Sequence, residues 1–488
     1  MQIVLQGTGA GYEAEHTARI FYPTASLADT VPPEGDMILA VAGAHALLAL
    51  VRVAGDARWR AVRAPEEPKE AEYQLCRLLY GLLREQTGIR PPWGMMTGVR
   101  PVRIIHDMRA AGATEAEIEA RFLEHFDCTP GRFRTALEIA DRQRPVLEAA
   151  RPMDYSLYAG IPFCPSRCSY CSFVSRTVGD KHTRSLIQPY VDCLCREIEA
   201  TGKIAAECGL NLKTLYIGGG TPTSLSADQL RRLMEQMAAS FDLSALQEYT
   251  VEAGRPDCTD REKLQVLKEY GATRISINPQ TFSDQVLRNI GRRHTAQDIL
   301  DCYRTARAVG HDNINMDLIA GLPGDTVEGF AESLRTAISL DPENITVHTL
   351  TLKRASNLVV EHRAAAYDDV AAMLECCDML LAAGYRPYYL YRQKGTLQNL
   401  ENIGWCKPGR ECLYNIYIME EIHSILSAGA GGSTKLVSPG VRHGKIERIF
   451  NYKYPNEYID RFETVLARKE GVKQFYAPYL AGQTAGRD

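Results

Sequence analysis

No run of about 18 apolar residues, the length a spanning helix needs, occurs anywhere in the 488-residue chain. The most apolar stretch, Met37 to Val53, is broken by Gly43, His45 and Arg52. The N-terminus MQIVLQGTGAGYEAEH lacks a basic region ahead of an apolar core, so no secretory signal is read there and the expectation is cytoplasmic. A charge excess is missing too. Lys and Arg number 56 against 60 Asp and Glu, a formal charge of −4, which leaves no electrostatic footprint for nucleic acid. The P-loop pattern GxxxxGK[ST] is absent. Two glycine-rich stretches, Gly7–Tyr12 and Gly429–Thr434, put Tyr12 and Thr434 where a dinucleotide fingerprint needs glycine. What remains is a globular chain, 45% apolar and 24% charged, long enough for about two to four domains.

The first 150 residues read as a small α+β domain. Short strand-like runs (MQIVLQG, HTARIFYPT, DMILAVAG, HALLALVRVAG) precede helical patterns over 70–86, 115–125 and 131–150. From Ser156 the pattern becomes rhythmic. Six β-like runs (SLYAGIPF, KTLYIGGG, QEYTVEAG, TRISINPQ, NINMDLIAGLP, ENITVHTL) alternate with helical stretches over 187–207, 227–240, 260–270, 296–309, 327–340 and 367–383. Strand–helix alternation implies right-handed βαβ units and a parallel sheet. Six units are too few for an eight-fold barrel, so an open sheet or an incomplete (β/α)6 barrel spans residues 151–386. Parallel sheets place ligands at the C-terminal ends of their strands, and that is where polar residues and glycines cluster. Beyond Pro387 the rhythm stops. Residues 387–488 read as a C-terminal covering segment that opens with a polar, basic and tyrosine-rich loop.

Of 14 cysteines, three fall within eight residues at the end of the first βα strand: Cys164, Cys168 and Cys171. Clustered cysteines in a cytosolic chain point to metal or redox chemistry rather than to disulfides. A CxxxCxxC loop can wrap an iron–sulfur cube. Phe173 stands where a further nearby cysteine could lie, so a fourth iron would lack a protein ligand, and an open coordination position marks a catalytic metal site. The alternative is zinc, with His182 or a distant cysteine as fourth ligand.

The cysteine motif after a first strand resembles the radical S-adenosylmethionine (radical SAM) superfamily. The wording YxGIPFCPxxCxYCxF resembles its oxygen-independent coproporphyrinogen III oxidase family, and the long N-terminal domain is most similar to the HemZ-like branch. The resemblance implies a [4Fe-4S] cluster on Cys164, Cys168 and Cys171, with S-adenosylmethionine on the open iron. It implies cofactor contacts from Tyr158, Tyr170, the turn Gly219-Gly220-Thr221, Glu252, Gln280, Arg292, Asp317 and Thr351. Core packing is the alternative for Tyr158 and Tyr170. A surface ion pair is the alternative for Glu252.

The chemistry implied is one-electron cleavage of S-adenosylmethionine to a 5′-deoxyadenosyl radical, and oxidative decarboxylation of two propionates, turning coproporphyrinogen III into protoporphyrinogen IX. Partners implied are the tetrapyrrole and an electron donor such as flavodoxin or ferredoxin, with the chain a monomer. Candidate cations for the substrate carboxylates are Arg274, Arg292, Arg293, Lys353, Arg354, Arg392, Lys394 and Lys407, with Tyr388, Tyr389 and Tyr391 available to stack on pyrroles. A solvated basic loop is the alternative for the later members. Phe173 and Gly160 replace a cysteine and a histidine of the best-characterised branch. Phenylalanine at the first of these places also occurs in a related branch of haem-binding chaperones. Haem carriage, or another radical reaction on a tetrapyrrole, therefore stands beside decarboxylation. Trp93, within PWGMMTGVRP, and the pair Cys376-Cys377 read as structural.

Overall fold

The computed structural model describes residues 1–7, 11–173, 175–351, 369–393 and 400–484. The chain forms two compact units, Met1–Ala140 with Tyr391–Glu401, and Asp141–Leu390 with Asn402–Asp488.

The first unit is built on a five-stranded sheet: β1 (Gln2–Gly7), β2 (Ser26–Ala28), β3 (Met37–Ala42), β4 (Ala46–Val53) and β5 (Asp56–Arg63) in the order β2-β1-β3-β4-β5. Helices α1 (Gly11–Phe21) and α2 (Pro68–Thr87) bury Ala14, Ala18, Leu75, Leu79 and Leu83 with Ile3, Ile38 and Val51 of the sheet. The run HTARIFYPT, expected as a strand, lies mostly in α1. Its buried positions Ala14, Thr17, Ala18 and Phe21 recur at three to four residues, the helical period. Trp93 is buried and donates its ring N–H to Glu401 Oε2 at 2.7 Å, which bears out a structural part for that tryptophan.

The second unit holds the βα series. Strand β6 (Asp154–Ile161) and the short β7 (Phe163–Cys164) and β8 (Arg176–Thr177) lead into β9 (Asn211–Gly219), β10 (Glu248–Glu252), β11 (Arg274–Ser276), β12 (Ile314–Ala320) and β13 (Asn344–Thr349). The strands β6-β9-β10-β11-β12-β13 are neighbours in that order and parallel throughout. Helices over Lys181–Glu207, Ala227–Ser240, Arg261–Glu269, Ala296–Val309 and Val327–Ser339 intervene. This is the expected six-unit partial barrel. Most of the helices start with capping side chains: Asp180, Ser226, Asp260, Thr295 and Thr326 each accept a backbone N–H of the first turn, satisfying a donor that the helix leaves open.

The segment after Pro387 carries more regular structure than a cover. Strands β14 (Arg386–Arg392), β15 (Glu401–Cys406), β16 (Ser424–Ala428), β17 (Ser433–Val437) and β18 (Ile446–Phe450) join the same sheet, β15 antiparallel to β13 and β16 parallel to β6. Every residue of β15 and β16 is buried, so periodicity gave no alternation to read. Cys376 and Cys377 sit where one helix ends and the next begins, between Val370–Glu375 and Asp378–Ala382. Among the described residues no helix is long and apolar enough to cross a membrane.

One buried carboxylate fixes β16 and the C-terminal helix in place. Glu197 accepts from Gly429 N (2.7 Å), Tyr458 Oη (2.6 Å), Asn451 Nδ2 (2.7 Å) and Lys469 Nζ (2.8 Å). Removing one partner of a buried pair leaves the other charge uncompensated. Glu197→Ala is therefore expected to lower the unfolding free energy by about 3–5 kcal/mol, measured by urea denaturation of the metal-free chain.

Candidate active site at the strand ends

The cysteine loop starts where β6 ends. Its backbone is closed by Arg176 N donating to Pro162 O (2.8 Å) and Val178 N to Cys164 O (3.0 Å). A tight turn brings Cys171 N to Cys168 O (3.1 Å). Cys164 and Cys168 are buried and Cys171 is half-buried. Burial raises the Cys164 thiol and pushes Cys171 up to about 11, and the neighbouring cysteines add to both shifts. Cys164 and Cys171 are therefore protonated thiols at neutral pH until a metal displaces the proton. Phe173 projects outward, 66% exposed.

The glycine turn after β9 clasps this loop. Gly220 N donates to Ile161 O and Thr221 N to Phe163 O, both at 2.7 Å. A Cβ on Gly220 would stand 2.5 Å from Phe163 O and 2.9 Å from Cys164 Sγ, and Gly219 has φ +115°, so neither position accepts a side chain without distortion. The Thr221 hydroxyl lies 3.6 Å from Cys164 Sγ.

Side chains of alternate strand positions form the inner wall. Tyr158, Tyr216 and Tyr414 stack, the last two rings with centroids 4.6 Å apart. Tyr216 Oη donates to Glu252 Oε1 at 2.7 Å. Burial, with the charge of Asp317 beside it, raises Glu252 to about 7 against the pull of the Tyr216 hydrogen bond. Asp317 shows the opposite outcome. Burial opposes its ionisation, yet His348, 3.7 Å away, and Asn315, donating at 2.7 Å, hold it below the ordinary value. Gln280 is buried with φ +69°, an uncommon conformation for any residue but glycine. It carries β11 on past its last ladder pair, giving its N–H to Asp317 O (2.8 Å) and taking that of Ile319 (3.0 Å). Arg292 is buried, donates to Asn278 O (2.7 Å) and Tyr170 Oη (3.1 Å), and lies against Cys168. Its Nε has no hydrogen-bond partner. Thr351 follows β13 at the same edge, its hydroxyl bonding Thr349 O.

The structure thus joins Tyr170, Gly219, Gly220, Thr221 and Arg292 to the three cysteines, and sets Tyr158, Glu252 and Asp317 in one inner wall with Gln280 bound to the backbone of Asp317. Three of the candidate substrate cations are engaged elsewhere. Arg274 lies at the start of β11, among Glu248, Tyr388 and Cys412. Lys407 is tied to Asp341 (2.8 Å) beside the N-terminal end of β13, the end remote from the cysteines. Arg392 is buried and bonded to Met96 O (2.6 Å) and Gly98 O (3.1 Å), and Tyr388 and Tyr389 are core residues. These side chains are consumed by packing, since a long basic or aromatic side chain covers apolar surface as readily as it meets a ligand. Lys353, Arg354 and Lys394 lie outside the described residues, as do positions 8–10 of the first glycine-rich stretch. Reasoning from sequence missed Tyr216, Asn315, His348 and Arg255. The first three share strand parity with Gly218, Asp317 and Thr346, and alternation alone would have marked them.

A partial (β/α)6 barrel with a three-cysteine loop on its first strand end is the architecture of radical SAM proteins. The family model described as the radical SAM superfamily matches residues 158–337. The oxygen-independent coproporphyrinogen-III oxidase-like protein HemZ of Bacillus subtilis is 39% identical over 402 residues, 81% of this chain and 79% of that protein. The haem chaperone HemW of Bacillus subtilis is 35% identical over 325 residues, 63% of this chain and 79% of that protein. The solved structure of coproporphyrinogen III oxidase, HemN, from Escherichia coli superposes with a TM-score of 0.52 at 23% identity, covering 67% of this chain and 72% of that one, a likeness of fold. The chain belongs to the radical SAM superfamily and, within it, to the oxygen-independent coproporphyrinogen III oxidase-like family.

The cofactors of that superfamily are a [4Fe-4S] cluster and S-adenosylmethionine, and the residues present fit both. Three thiols sit on one loop, Gly220 keeps the space beside Cys164 free of a side chain, and a buried guanidinium retains an unused donor. A cuboidal cluster takes each thiolate on a separate iron.

The raised Glu252 carries a test on the metal-free chain. A carboxyl whose folded pKa exceeds its unfolded value gives stability that is complete below the unfolded pKa, here 4.5, and is lost as pH rises through about 7. Glu252→Gln removes that contribution. The stability of wild type relative to the variant is expected to fall between pH 4.5 and 7, by at most about 3–4 kcal/mol, in paired denaturation curves. Parallel curves would show that Glu252 titrates normally.

Proposed function

We propose that this chain is a radical SAM dehydrogenase that decarboxylates propionate side chains of a tetrapyrrole, converting coproporphyrinogen III to protoporphyrinogen IX in haem biosynthesis. The observation that carries the reading is the 39% identity to an oxidase-like relative across 79% of that relative's length, well beyond the barrel core. When bound, the cluster and S-adenosylmethionine supply one-electron, hydrogen-abstracting chemistry, fed by a reductant such as flavodoxin or ferredoxin.

The chain's own residues hold and enclose these groups. Cys164, Cys168 and Cys171 provide the thiolates. Arg292 grips a carboxylate through donors in a fixed fork. Ionised Asp317 accepts ribose hydroxyls, and Glu252, titrating near neutrality, accepts from an ammonium or a hydroxyl whose approach favours its ionised form. The Gly219-Gly220-Thr221 turn offers backbone at close range, Tyr158 and Tyr170 give aromatic surface, and Gln280 and Thr351 complete the rim. A burial-rich inner wall excludes water from the site, which a reactive radical requires.

Haem carriage without decarboxylation is a second reading, supported by the 35% identity to HemW and by Phe173, which leaves the loop with an exposed aromatic instead of a further thiol. Anaerobic assay with reduced donor and propionate-labelled coproporphyrinogen III separates the two. The proposal expects labelled carbon dioxide and a vinyl product. Stoichiometric haem binding with no carbon dioxide from an intact, reduced cluster establishes the second reading instead. Alanine at Cys164, Cys168 or Cys171 is expected to abolish the broad absorption near ~400 nm that accompanies cluster loading, and a variant that kept it would refute the ligand assignment.

A further inference from the structure

Behind the cysteine loop lies a buried charge that the sequence reading did not use. Arg255 follows β10 and is 3% exposed. Its Nη1 donates to Cys168 Sγ at 3.4 Å and its Nη2 to Ser166 Oγ at 2.8 Å. Its other face is held by Asp257, which accepts from Nε at 3.0 Å and Nη2 at 2.9 Å. His294, itself buried, sets its Nδ1 3.6 Å from Asp257 Oδ1. The row His294, Asp257, Arg255, Cys168 therefore runs from the outer face of the barrel to a cluster thiol. Its outer end opens on a cavity of about 490 Å³ lined by Asp257, His294, Arg293 and Asp298. The arrangement is polar in one direction, with the guanidinium toward the sulfur and the carboxylate toward the solvent side.

Burying a guanidinium this fully is costly unless it is paired and hydrogen-bonded. A surface ion pair would have stabilised the loop without that cost. The location against a thiol explains the expense. Hydrogen bonds to the sulfurs and net charge near a cluster set its reduction potential. A cation that donates to a ligating sulfur lowers the energy of the reduced, more negative state, and so raises the potential.

We propose that Arg255 is a positioning residue that raises the reduction potential of the cluster through its N–H to Cys168, and that Asp257 holds it in that orientation. The inference rests on the assignment of Cys168 as a cluster ligand. Ser166, bonded to the same guanidinium, keeps the proline-flanked start of the loop in register with it.

The test is an electron paramagnetic resonance redox titration of the anaerobically reconstituted full chain, with iron counted in each sample. Arg255→Gln is expected to move the midpoint potential to more negative values at unchanged iron content. Arg255→Lys, which keeps the charge and loses the fork, is expected between that value and wild type. Asp257→Asn removes the compensating charge and is expected to move the midpoint the other way, to more positive values. Should Arg255→Gln fail to retain four irons, the Lys and Asn variants carry the comparison. Midpoints of the Lys and Asn variants equal to wild type, or an Asp257→Asn shift to more negative values, would overturn the proposal. Failure of the ligand assignment looks different: wild type itself then holds no cluster, or Cys168→Ala keeps one.

Discussion

Two backbone hydrogen bonds, from Gly220 N to Ile161 O and from Thr221 N to Phe163 O, clasp the cysteine loop to the glycine turn, and the rest of the site takes its position from that clasp. A loop carrying three thiols has no periodic structure to satisfy its own backbone, and buried peptide groups left unpaired are expensive. The neighbouring turn supplies those partners, but only by approaching more closely than a Cβ would permit. Glycine at positions 219 and 220 is thus a steric requirement of the loop, since a Cβ on either would strike the backbone of residues 161–163.

The strands carry the remaining chemistry by alternation. Tyr216 and Gly218, Glu248 and Glu252, Asn315 and Asp317, Thr346 and His348 sit two or four residues apart on their strands, so each pair shares a face. A barrel interior this polar is unusual for a packed parallel sheet, whose strands read as apolar runs. It holds together because its charges are arranged in partnerships of unequal strength. Asp317, with His348 and Asn315, stays ionised, while Glu252 sits at the edge of protonation, because burial and the like charge of Asp317 outweigh the Tyr216 hydroxyl, the Gly219 N–H and His348. Two carboxyls in one wall thereby acquire different properties from their surroundings alone, which suits a ligand that presents both hydroxyls and a cation.

Much of this was legible in the sequence. The strand–helix rhythm located the six parallel strands, because each strand is short and bounded by turn residues, and most of the helices have a capping side chain at their start. The cysteine loop and the glycine turn were legible because their chemistry demands particular residues at fixed spacing. Legibility failed where burial removed alternation, as in β15 and β16, and where β-branched and aromatic residues at a helix end resembled a strand, as in Thr17, Ile20 and Phe21 of α1. It failed again for the candidate substrate cations. Arg274, Arg392 and Lys407 are identical in sequence to ligand-binding residues and differ only in what tertiary structure places against them. Arg255 escaped for the converse reason: nothing in the tripeptide Arg255-Pro256-Asp257 announces that it reaches a sulfur 87 positions earlier in the chain.

Family membership, fold and the fit of the cofactors converge on one physical picture, an iron–sulfur cube with a single iron not held by the protein. Mössbauer spectroscopy of the chain loaded with iron-57, recorded with and without S-adenosylmethionine, addresses that picture most directly. The account predicts that addition of S-adenosylmethionine changes the isomer shift of one iron site in four and leaves the other three unaltered. A spectrum indifferent to the ligand, or one in which all four irons respond alike, would contradict it.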